Sequence, residues 1–200
     1  MGSFAELSCC ESLPVLVSLY VRCSRYGYQF SKGDDYLYLT AGEYARVKIF
    51  AIAIPPTPKQ SSTEPDIPPH YTTPFELTSS HASSAIQPLT GNRLLFTQSS
   101  LTSPNDVFIL GGLGQLNEYI GNQSAVYRGQ PEQITRFTED AFKGKALAVG
   151  EDFWFKSADN DVHGWILKPK GWIAGEKKKW PVLMLIHGGF LGVLPLMMTG

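Results

Sequence analysis

Short β-prone runs parted by turn formers recur from Phe30 to Leu110, and this rhythm constrains the fold more than any other feature of the chain. Ser31-Lys32-Gly33-Asp34 has the composition of a turn. Tyr36-Leu37-Tyr38-Leu39-Thr40 then alternates polar-tipped and aliphatic side chains with period two, the pattern of a strand with two different faces. Ala41-Gly42-Glu43 is expected to break that strand, and Val47 to Ile54 reads as the next one. Four further short strands are expected at Phe75–Thr78, Ala85–Leu89, Arg93–Thr97 and Val107–Leu110. Between them, Thr90-Gly91-Asn92 and Ser103-Pro104-Asn105-Asp106 are turns with a mechanism. Gly accepts positive φ, Pro pre-sets φ, and Asn and Asp bond their own backbone.

Nineteen glycines and fourteen prolines suit a turn-rich, mainly β protein better than a helical bundle. Four short strands joined by tight turns make one blade of a β-propeller, and the earlier strands suggest about two such units. Pro55-Pro56-Thr57-Pro58 to Pro68-Pro69 favours extended, solvated backbone. We read 55–73 as a surface loop, because strands of the same character resume after it. Residues 1–28 show no convincing period and stay unassigned. Gln133-Ile134-Thr135 is strand-like, and Glu139 to Lys145 suits a short helical turn.

A second character appears after residue 148. Asp152–Lys156 and Val162–Pro169 are aromatic-rich β runs flanking Ser157-Ala158-Asp159-Asn160-Asp161, the signature of a hairpin. Lys177-Lys178-Lys179 follows in a connection and reads as a solvated charged loop. Trp180-Pro181 then opens the uninterrupted apolar run Val182-Leu183-Met184-Leu185-Ile186, ending in His187-Gly188-Gly189. A short apolar run bounded by chain breakers is expected to be a strand buried on both faces, as in a parallel sheet. Two glycines at its end allow close backbone approach to a ligand. In α/β hydrolases such a strand end lies beside the oxyanion site of acyl transfer. His187, Gly188 and Gly189 are therefore the candidate oxyanion-side loop, the bland alternative being a tight turn capped by the histidine.

Acyl transfer also needs an activated nucleophile, typically in Gly-x-Ser-x-Gly on a strand-to-helix elbow, and these 200 residues contain no such pentapeptide. His163 is expected to be a strand histidine rather than a base. His70 and His81 lie in polar stretches with no nucleophile at a recognisable spacing. Cys9, Cys10 and Cys23 form no complete disulfide framework and have no histidine at zinc-ligand spacing, so no metal site is expected. Asn122-Gln123-Ser124 fits a glycosylation acceptor, which matters only in a secreted chain. The net charge of -1 gives no reason to expect nucleic acid or an anionic membrane as partner. Leu13–Val21 is too short to span a bilayer, and Glu6 and Glu11 stand where a signal peptide needs positive charge.

Three blocks carry a resemblance: Phe30–Glu43, Leu94–Phe108, and Glu151-Asp152-Phe153-Trp154-Phe155 through His187-Gly188-Gly189. They closely resemble secreted fungal peptidases of the dipeptidyl-peptidase V kind, in the prolyl oligopeptidase family, over roughly residues 29–189. The resemblance implies a partial β-propeller over 29–148, comprising its last blades, followed by the first strands of an α/β hydrolase domain over 149–189. It implies release of N-terminal dipeptides from peptide substrates by a Ser-His-Asp triad, with no metal or organic cofactor. It also implies secretion, whereas the lack of a convincing signal peptide leaves a cytoplasmic location open. The family has Pro after His-Gly-Gly, where this chain has Phe190, and 190–200 departs from the family altogether. Residues 1–28 lack its earlier blades. Both ends are expected to be foreign to the enzyme, as in a truncated reading frame, and no position here matches the triad. The expectation is an inactive serine-peptidase fragment, prone to aggregation or chaperone contact. Two alternatives stand beside it: a non-catalytic β-propeller-type binding module, and a fragment of an esterase-like α/β hydrolase.

Overall fold

The computed structural model describes residues 23–54, 74–120, 127 and 129–186. Strands β1 (Cys23–Phe30), β2 (Tyr36–Glu43), β3 (Arg46–Ala53) and β4 (Phe75–Glu76) form an antiparallel meander. Strands β5 (Ala82–Leu89), β6 (Arg93–Ser99), β7 (Asp106–Leu110) and β8 (Glu132–Gln133) form a second. One parallel bridge, Val47 to Ala82, joins them into an eight-stranded sheet. The protein is mainly β, as its punctuated rhythm predicts.

The alternation sorts the side chains as expected, with a twist in β2. There Tyr36, Tyr38 and Thr40 are buried, while Leu37 and Leu39 are only half-buried. The core joins Tyr36, Tyr38, Ile49 and Ala51 from the first meander to Ile86, Leu94, Phe96 and Leu110 from the second. A short 3₁₀ turn (Leu113–Gln115) and helix α1 (Leu116–Tyr119) close it with Leu113 and Leu116. Strand β5 also lies against β1 and β2, so the sheet folds back on itself and both meanders share that core. The Tyr38 phenol is pushed up to about 12, chiefly by burial.

Two buried charges are satisfied inside this framework. Lys48 donates to Glu76 at 2.7 Å and also to Glu43. Burial pulls its ammonium down, but the two carboxylates outweigh that and hold it above its ordinary value. Asp106, 2% exposed, accepts from Ser103, Gln133, Thr135 and the Phe137 N–H. Burial opposes its ionisation, yet these donors hold the carboxyl below its ordinary value. They also tie the segment around β8 to β7.

The hairpin is confirmed, with β9 (Gly150–Ser157) and β10 (Asn160–Leu167) paired in full register around the Ala158-Asp159 loop. Helix α2 (Glu139–Phe142) occupies the expected helical turn. Three expectations change. Ala41-Gly42-Glu43 does not break β2, because Gly42 pairs with Val47 and the turn comes at Tyr44-Ala45. Strand β1 begins inside the stretch that carries no period. Val182–Ile186 is neither strand nor buried: its residues are 73–91% exposed. An apolar run becomes a core strand only where neighbouring strands pair with it, and among the described residues none does.

Candidate functional site

His187, Gly188 and Gly189, the candidate oxyanion loop, lie outside the described residues, as do Asn122 and His70. His81 is exposed and its Nδ1 lies 3.1 Å from Ser80 Oγ, but among the described residues no carboxylate joins that pair. The side-chain constellation of most chemical interest is one that sequence reasoning missed. It forms where the β2–β3 turn meets the β9–β10 hairpin.

Hairpin pairing places Asp152 opposite Trp165 and Trp154 opposite His163, so these four side chains share one face. Arg46, at the start of β3, reaches this face. Its Nη1 donates to Asp152 Oδ1 at 2.9 Å and its Nη2 to Oδ2 at 2.6 Å, a bidentate pair. The guanidinium lies over the Trp165 ring, 4.5 Å from its centroid. His163 Nε2 stands 2.8 Å from Asp152 Oδ1. The hydrogen bonds from Arg46 pull the Asp152 carboxyl down to about 2, against a smaller desolvation effect, and His163 adds to the pull. An ionised carboxylate only accepts, so His163 Nε2 carries the hydrogen between them. Tyr44 packs edge-on to Trp154, with centroids 5.4 Å apart. Tyr44, Arg46, Asp152 and Trp154 line an open hollow of about 420 Å³.

The turn that presents Tyr44 is strained. Tyr44 and Ala45 have φ of 49° and 55°, a left-handed conformation that favours Gly or Asn in two-residue hairpin loops. Nearby, Gly150 is where the hairpin passes the main sheet. A Cβ there would stand 2.7 Å from the Trp165 ring and 2.9 Å from Leu101.

A carboxylate that orients a histidine is two-thirds of a Ser-His-Asp relay. Here the third part is missing: among the described residues no hydroxyl or thiol hydrogen-bonds His163. Arg46 also bonds both carboxylate oxygens, so the Asp152 charge is shared between the guanidinium and His163 rather than committed to the imidazole. The chemistry of the cluster is therefore that of a clasp, fixing the hairpin to the turn. His163 is a strand histidine, as the sequence predicts. Among the described residues no group of three or more His, Cys, Asp or Glu gathers in metal-binding geometry. No helix among them is long and apolar enough to cross a membrane.

Neither a protein family nor a curated protein matches this sequence.

Proposed function

We propose that the chain is a piece of a serine peptidase of the dipeptidyl-peptidase V kind, carrying two propeller blades and the opening strands of the hydrolase domain. The observation that carries the reading is the order of parts. Two four-stranded antiparallel meanders around one core precede a separate hairpin, which leads to the apolar run and His187-Gly188-Gly189. Each meander has the strand count and pairing of a blade. The Arg46–Asp152 clasp then falls between the blades and the hydrolase portion.

In the complete enzyme type, the loop at His187-Gly188-Gly189 would contribute to the cradle for the developing oxyanion. Attack requires a serine activated by a base; this sequence holds no Gly-x-Ser-x-Gly elbow, and the His81–Ser80 contact is exposed, with no carboxylate bonded to it among the described residues. The 200-residue protein is therefore inactive in this reading. Incubated with a dipeptide anilide or a fluorophosphonate probe, it should release no amine and take up no label. Inhibitor-sensitive turnover, or a labelled serine, would overturn the proposal.

The core offers one observation for the runner-up, a free-standing binding module. Ile49, Leu94, Phe96 and Leu110 are buried to 0–1% exposure in a core that the two meanders share. Against it stands the apolar surface left open on the hairpin, where Phe153, Phe155 and Ile166 are 42–46% exposed.

A further inference from the structure

The hollow beside the clasp is lined by two rings and one ion pair. Tyr44 and Trp154 meet there with their ring planes 80° apart, and each keeps about half of its surface exposed, 55% and 50%. Arg46 and Asp152 complete the lining, with side chains 21% and 39% exposed. At about 420 Å³ the hollow falls within the range of small-ligand sites. Its walls are fixed in advance. Asp152, the Tyr44 carbonyl at 3.2 Å and the Trp165 ring all hold the guanidinium, and His163 holds Asp152 in turn. His163 also lies against Trp154, with centroids 4.7 Å apart. Side chains ordered before a ligand arrives add little ordering cost when it binds. Tyr44 joins them from a left-handed backbone, the kind of strain that clusters at ligand clamps and active sites.

The chemistry of these walls selects the ligand. Arg46 and Asp152 cancel each other's charge, so an ionic ligand would compete with a partner already in place. The Nη2 nitrogen has a second hydrogen beyond the one it gives to Asp152 Oδ2, and that oxygen has a second lone pair. The two atoms are 2.6 Å apart, so a donor and an acceptor stand side by side. A hydroxyl both donates and accepts, and two on neighbouring carbons match such an edge. The half-exposed rings favour an apolar body next to those hydroxyls rather than a further charge. A pyranose carries both features, hydroxyls around its rim and C–H groups on a flat face.

We propose that the Tyr44–Trp154 corner binds a neutral hexopyranose unit of an oligosaccharide, with the sugar ring against Trp154 and vicinal hydroxyls on the Arg46–Asp152 edge. The site binds and does no chemistry on the sugar. Nothing in it depends on the peptidase reading, because the four lining residues belong to the clasp.

The test titrates the full 200-residue chain, labelled with nitrogen-15 in tryptophan, with cellotriose and separately with mannotriose. The chain has four tryptophans, so the indole signals are few enough to assign by substitution. At least one of the two sugars should move the Trp154 signal saturably and leave those of Trp172 and Trp180 in place. Tyr44→Ala should weaken that sugar about fivefold, the loss expected for one ring contact. Hydrogen exchange of β6 should stay that of the parent, which separates lost binding from lost folding. Trimers of glucosamine and of glucuronic acid, which add positive and negative charge to the same ring, should bind no more tightly than the neutral sugar. No saturable shift at Trp154 with either neutral trimer, equal affinity in Tyr44→Ala, or tighter binding of either charged trimer would overturn the proposal.

Discussion

Asp152→Asn tests how the hairpin is held, and its effect can be worked from the geometry. The carboxyl lies at about 2 rather than its ordinary 3.8, chiefly through Arg46. That interval corresponds to about 2.4 kcal/mol of preference for the ionised form in the folded chain. The Asp152 side chain is 39% exposed, so solvent screening leaves about 1 kcal/mol as the usable contribution. A depressed carboxyl stabilises fully above its unfolded value and loses that stabilisation as pH falls through its folded value. The clasp should therefore hold above about pH 4 and fail between about pH 4 and 2. Hydrogen exchange at the amides of Phe153–Phe155 reads this locally, because strong contacts between hairpin and main sheet are few. The parent chain at neutral pH should show those amides opening about fivefold less than Asp152→Asn, converging with it at pH 2. Identical protection at neutral pH would refute the clasp. Protection that grows as pH falls would refute its electrostatic basis.

The core and the turns give further tests. Phe96→Ala removes a ring that is 1% exposed and stacked on Phe108 at 5.8 Å, and should cost about 3–5 kcal/mol in urea unfolding. Asp106→Ala removes the buried acceptor of several half-buried donors around β8, and should cost about 1–3 kcal/mol while freeing exchange at Ile134 and Thr135, whose N–H groups bond Val107 O. Ala45→Gly relieves a left-handed alanine and should raise stability by about 0.5–1 kcal/mol, seen as a higher urea midpoint. Gly164→Ala should disrupt the hairpin and alter near-ultraviolet dichroism, since a Cβ there would stand 2.5 Å from the Phe153 ring.

The strands were legible where alternation and turn chemistry agreed. Gly91 and Asn92 turn with positive φ, as their residue types predict, and the β9–β10 register follows from the loop between two aromatic runs. The β2–β3 turn was illegible because a Tyr and an Ala occupy its left-handed positions. Composition there pointed instead to Gly42, which sits within the ladder. Val182–Ile186 shows the limit of hydrophobic runs: burial is decided by partners elsewhere, and the run itself does not say whether they are there. The clasp was hidden for a related reason. Asp152 and His163 become neighbours once the hairpin register is drawn, but Arg46 lies 106 residues from Asp152 and no local pattern links them.

The proposed kinship is tested most directly by reading the transcript beyond the codon for Gly189. It predicts a frame that encodes proline next and, further on, a Gly-x-Ser-x-Gly pentapeptide. A transcript in which every frame lacks both would contradict it.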